Sequence, residues 1–126
     1  MGFQKKNVQQ TIDIAFEVET IDERVGTVER VAVQHKFRRP TIKEREYYRQ
    51  LAHSFKNGKS QIKLTKANLF LWNECVISVS GYDDLPVGDF KSYFQDDIGM
   101  EHADASVRIM LDKITENESE LEKNSD

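Results

Sequence analysis

The stretch Thr11-Ile12-Asp13-Ile14-Ala15-Phe16-Glu17-Val18-Glu19-Thr20-Ile21 places Ile12, Ile14, Phe16 and Val18 at every second position, with Asp13, Ala15, Glu17 and Glu19 between them. Successive side chains of a strand point to opposite faces, so this period of two marks a strand buried on one side. Asp22 to Gly26 supplies turn chemistry, and Val31, Val33 and Phe37 resume the even spacing between Thr27 and Phe37. The economical reading is an antiparallel hairpin within residues 11–37. Val28 falls on the other parity, which allows a bulge or register change near the start of the second strand.

Beyond the hairpin the period changes. Pro40 disfavours helix at Arg39, and Thr41 with Glu44 three residues later matches a capping box, which predicts a helix start. Tyr47, Tyr48, Leu51, Ala52 and Phe55 then follow a helical stripe, and Asn57-Gly58 is a left-handed stop, so the first helix is expected over 42–56. Residues 59–64 read as a basic connector. From Thr65 to Ser80 apolar residues nearly surround the axis, which predicts a buried helix over 65–80. Its end is β-branched, and a strand from Cys75 to Val79 is the competing reading, set aside on length. Gly81 ends this element and Asp83 to Asp89 is a loop. Ala103, Val107, Met110, Leu111 and Ile114 predict a third helix near 100–114.

Strands first and helices after argue for the α+β class: an N-terminal antiparallel β-hairpin followed by a small bundle of three to four helices. At 126 residues the chain fits one domain. Residues 1–10 lack periodicity and read as a flexible leader, 11–115 as the domain, and 116–126, with four glutamates, as a disordered acidic tail. No apolar run reaches the roughly 20 residues of a membrane span, and the first ten residues lack the apolar stretch of a signal peptide, so the expected location is cytoplasmic.

Charge is polarised. Residues 36–66 hold ten basic side chains against Glu44 and Glu46, whereas residues 82–126 hold thirteen acidic against four basic. A basic band can neutralise phosphates, but it is equally a solvated helix face or half of a complementary docking surface.

Chemistry-bearing patterns are scarce. His35, His53 and His102 are too far apart for a helical ligand pair, which predicts no metal site and a surface or half-buried place for each. Cys75, the sole cysteine, lies in the most apolar segment, where a thiol is a small hydrophobe rather than a nucleophile. Asp83-Asp84 and Asp96-Asp97 fit loops and helix starts. No phosphate-loop, dinucleotide or nucleophile-elbow motif occurs, so neither cofactor nor catalysis is expected. Partner binding remains, with Arg38, Arg39, Arg45, Tyr48 and Arg49 as candidate contacts, since arginine and aromatic residues dominate binding hot spots.

The order of features resembles the tail assembly chaperones of long-tailed bacteriophages. The resemblance spans about Val33 to Leu111 and rests on Phe37-Arg38-Arg39-Pro40-Thr41 opening a helix, on an apolar segment ending in Ser80-Gly81-Tyr82-Asp83, and on Asp97-Ile98 leading into a helix with His102 and Val107. Gly99 stands where a proline is often seen. The resemblance implies a non-catalytic protein that coats the long tape measure protein, helps recruit tail tube subunits, and is absent from the finished particle. Such a domain would cover apolar helical segments in a helix-in-groove mode and self-associate through its oppositely charged regions, with no membrane and no specific nucleic acid as partners. Two alternatives stay open: a structural tail or neck component retained in the particle, and a small nucleic-acid-binding regulator using the basic band 36–66.

Overall fold

In the computed structural model, residues 2–4, 10–56, 59–62 and 64–123 are described. The alternating stretch is β1 (Thr11–Asp22), and a four-residue turn with Gly26 at φ +70 leads into β2 (Thr27–Arg38). The two strands pair antiparallel from Thr11↔Arg38 to Asp22↔Thr27 in unbroken register, so no bulge or register change occurs at Val28 in this pairing. Val28 faces Ile21 instead, and both side chains lie on the exposed side of the ribbon. Its parity marks a second apolar spot rather than a defect in pairing.

The expected first helix ends early. α1 (Ile42–Ala52) starts at the predicted capping box, with the Thr41 side chain accepting from the Glu44 N–H and Glu44 accepting from the Thr41 N–H. After Ala52 the chain turns into a two-stranded ribbon, β3 (His53–Lys56) with β4 (Lys59–Ile62), in place of the last helical turn and the basic connector. The Asn57-Gly58 stop lies outside the described residues.

The larger correction concerns residues 65–80. α2 (Leu64–Cys75) gives way directly to β5 (Val76–Ser80), the strand that was set aside. Val76, Ile77 and Val79 are β-branched and suit a pleated surface, and β2 offers an unpaired edge that a helix could not satisfy. β5 joins that edge antiparallel, with Ser80↔Gln34, Val79↔His35, Ser78↔Lys36 and Val76↔Phe37, so Ile77 is the extra residue of a bulge. The sheet order is β1-β2-β5. Gly81 then turns away at φ +91, and a Cβ there would lie 2.6 Å from the Ala32 carbonyl oxygen, so glycine is required by both backbone and space.

A single 3₁₀ turn (Phe90–Phe94) precedes α3 (Asp97–Lys123). The Gly99 N–H donates to Asp96 Oδ1 at 2.7 Å, and a Cβ at Gly99 would come within 2.4 Å of Phe94 Cα. A proline here would lose that bond and crowd the turn. The backbone of α3 continues past Ile114 to Lys123, through most of the stretch expected as a disordered tail, consistent with the high helix propensity of Glu, Lys and Leu. Side chains beyond residue 116, and residues 124–126 altogether, lie outside the description, as do residues 5–9 of the expected leader.

The core forms where one sheet face meets α2, α3 and the 3₁₀ turn. Ile12, Ile14 and Phe37 pack on Leu71, Trp72 and Cys75, on Phe94, and on Ala103, Val107, Met110 and Ile114. Trp72 and Val76 are buried as expected, whereas Leu69 and Val79 are only partly covered. Trp72→Ala should lower the unfolding free energy by about 3–5 kcal/mol in a denaturant titration, the range for deleting a large core aromatic. A loss under about 1 kcal/mol would contradict this packing.

Candidate functional site

The five candidate contacts lie at the end of β2, just after it, and along α1. The Arg38 guanidinium donates in bidentate fashion to Glu44, at 2.7 and 2.6 Å, and to the Glu74 carbonyl at 2.9 Å. It therefore locks the end of β2 to the first turn of α1 and the last turn of α2. The bond to Arg38 holds the Glu44 carboxyl down at about 2 and raises the guanidinium further. Tyr48 is half-buried, and its hydroxyl donates to Asn68 Oδ1 at 2.8 Å. Buried Asn68 donates in turn to Asp104, which is paired with Arg108, so this chain ties α1, α2 and α3 together. Arg39 and Arg45 are half-buried and Arg49 is exposed. Two of the five thus hold the fold itself together. Cys75 is buried, and burial pushes its thiol up to about 12, which keeps it protonated.

The surface the fold assembles lies at the other end of the sheet. β5 pairs with β2 only from Gln34 to Phe37, so the distal half of the hairpin extends beyond the third strand. Its end carries Ile21, Val25 and Val28, exposed by 65, 69 and 58%. Beneath the overhang is a groove of about 540 Å³, lined on the hairpin side by Val18 to Ile21, Val31 and Val33. The opposite wall is Gly81, Tyr82, Asp83, Tyr93, Ile98 and His102. Ile98, in the first turn of α3, is 65% exposed. The volume lies within the roughly 300–1,000 Å³ common for binding sites.

A hydrogen-bond chain braces the inner wall. Trp72 Nε1 donates to His35 Nδ1 at 3.0 Å, His35 Nε2 lies 2.7 Å from the Tyr82 hydroxyl, and that hydroxyl lies 3.2 Å from His102 Nδ1. An indole can only donate, so Nδ1 of His35 accepts and its proton sits on Nε2. That N–H donates to the Tyr82 oxygen, leaving the phenolic proton for His102 Nδ1. The order of donation is therefore fixed from the core to the groove. His35 has no exposed surface and touches the rings of Phe16, Phe37, Trp72, Tyr82 and Phe94. Burial, with His102 nearby, depresses its pKa to about 4, and burial also lowers that of His102 and raises that of Tyr82.

The expectation of a surface or half-buried place for each histidine is thus wrong for His35. Its position between Val33 and Phe37 on the alternating face of β2 was the signal that could have revealed its burial. Tyr82, Tyr93, Ile98 and His102, the groove wall, carried no comparable signal, because their convergence depends on Gly81 folding the chain back beneath β2. Among the described residues no cluster of three potential metal ligands occurs, and no helix is long and apolar enough to cross a membrane.

A scan against protein-family models and searches of curated proteins and of solved structures return no match to this chain.

The buried imidazole makes stability pH-dependent. An unfolded His35 binds a proton near 6.5 and the folded one only near 4, so the unfolded chain holds more protons between these values. Stability should be full above pH 6.5 and fall by up to about 3 kcal/mol as the pH drops to 4. Glu44, lowered to about 2, loses its contribution separately, between about 4.5 and 2. His35→Phe should remove most of the slope between pH 6.5 and 4.5, while lowering stability above it by about 1–3 kcal/mol for the unsatisfied indole. Chemical denaturation across this pH range measures both effects.

Proposed function

We propose that this protein is a non-catalytic assembly chaperone of the phage-tail kind, engaging its partner through the distal half of the β1–β2 hairpin. The observation that carries the reading is the exposed apolar end of that hairpin, Ile21, Val25 and Val28, projecting past β5 beside a groove at one end of a charged domain. Contiguous exposed apolar surface on a small protein marks an interaction site. A charged domain that exposes one such surface can cover apolar segments of another protein and stay soluble. The tape measure protein is the partner the resemblance names, with tail tube subunits as the second and the host cytoplasm as the place of action. The candidate contacts move accordingly, from Arg38 and Tyr48 to the hairpin end. A projecting hairpin is also what a structural tail or neck component would use to clasp a neighbouring subunit, which supports that role as the second reading.

Co-expression with the tape measure protein encoded in the same genome separates them. Alone, the tape should aggregate. With this chain it should enter the soluble fraction as a complex holding several copies, and the finished particle should lack the chain. Ile21→Asp with Val28→Asp should abolish solubilisation with unchanged thermal unfolding, because neither side chain is in the core. A tape that stays insoluble at every ratio, beside a well-folded wild-type chain, would overturn the chaperone reading. Recovery of the chain from purified particles would favour the structural one.

A further inference from the structure

The groove is bounded on one side by a sheet edge as well as by side chains. β1 is the outer strand of the sheet, and four consecutive residues, Val18 to Ile21, line the groove. The direction of its backbone groups follows from two contacts. The Arg39 N–H donates to the Gln10 carbonyl at 2.9 Å, continuing the β1–β2 register by one pair. Even-numbered residues of this strand therefore direct N–H and C=O toward β2, and odd-numbered residues direct both outward. Lys113 Nζ, lying 3.4 Å from the Asp13 carbonyl, shows an odd-numbered carbonyl facing away from β2, covered there by α3. Further along, among the described residues, Glu17, Glu19 and Ile21 turn their backbone groups to an edge that no strand occupies, next to the apolar wall of Tyr93 and Ile98.

We infer that this edge is a strand-addition site: an extended partner segment with alternating apolar and Lys or Arg residues pairs with β1 over Glu17–Ile21. Its apolar side chains lie on Val18, Tyr93 and Ile98, and its basic ones meet the acidic rim. Main-chain bonds supply affinity in such sites and alternate side-chain pockets supply specificity. Charge selects the occupant. The charged residues lining the groove are Glu19 and Asp83, with no Lys or Arg among them; on the ribbon's other face Arg30, across from Glu19, lies 3.8 Å from Glu17, a pair too exposed to offset the acidic edge. A second copy of this chain is disfavoured, because antiparallel pairing of two β1 edges sets Glu17 and Glu19 against the same acidic pair. The inference rests on the reading of this groove as a partner site and adds to it the conformation and charge of what enters.

Peptides of about eight residues, the length of an ordinary strand, test it by fluorescence anisotropy. An alternating valine–lysine peptide should bind wild-type protein. The same peptide N-methylated at alternate nitrogens along its pairing edge, and a valine–glutamate peptide, should each bind at least about tenfold more weakly. Glu19→Pro removes one outward N–H without touching the β2 ladder, and should also weaken lysine-peptide binding about tenfold. Glu19→Lys with Asp83→Lys, which needs no backbone change, should reverse the preference toward the glutamate peptide. Indifference to N-methylation and charge, or no binding of the lysine peptide by folded protein, overturns the inference. So does a concentration-dependent dimer abolished by Glu19→Pro, which would put a second copy at the edge. If Glu19→Pro solubilises a tape measure protein as well as wild type does, strand addition fails while the chaperone reading stands. If the peptides bind as expected and no tape is solubilised, the reverse holds.

Discussion

The structure depends on keeping His35 neutral inside the core. An imidazole with no exposed surface is costly unless both ring nitrogens are satisfied, and here an indole donates to one and a phenolic oxygen accepts from the other. Each partner comes from a different element. Trp72 belongs to the last turn of α2, and Tyr82 follows the turn made by Gly81. Satisfying His35 therefore sets how α2 crosses the sheet and where the chain goes after β5. It also passes the constraint outward to His102 on α3 and so to the wall of the groove.

Three residues further along β2, Arg38 performs the matching task. One guanidinium closes a carboxylate that already caps α1 and also takes a carbonyl at the end of α2, so three elements meet at a single planar group. Bidentate geometry is what Arg offers and Lys does not. The consequence for function is direct. One of the residues read as a binding contact is committed to the fold, and the basic band is partly balanced from within. The open surface lies instead at the far end of the same strand, where β5 stops short and leaves a two-stranded ribbon with an apolar tip and an acidic edge.

The junction at Cys75–Val76 shows how far periodicity reaches. Leu69, Phe70, Leu71 and Trp72 and then Val76, Ile77 and Val79 form one apolar run, and a run buried on all sides looks alike as helix or strand. The β-branched residues tilted the balance locally, but the deciding fact was a free hydrogen-bonding edge on β2, formed by residues some forty positions earlier. The end of α1 is a similar case, since Leu51, Ala52 and Phe55 fit a helical stripe while β3 begins at His53.

What the sequence determined by itself is whatever local chemistry enforces. The hairpin follows from strict alternation in β1, the start of α1 from the Thr41–Glu44 capping box, and the burial of Trp72 from its apolar surroundings. Tertiary structure decided which side of the helix–strand boundary Val76 falls on, that His35 is a core residue with two partners, and that Arg38 and Tyr48 are bonded to neighbouring elements of the fold. It alone brought Val18 to Ile21 opposite Tyr93, Ile98 and His102. The physical reason is that hydrogen-bond partners and buried surfaces are supplied by segments distant in sequence. A residue's own neighbours report its period and its caps, but not which open edge or unsatisfied donor is waiting for it across the fold.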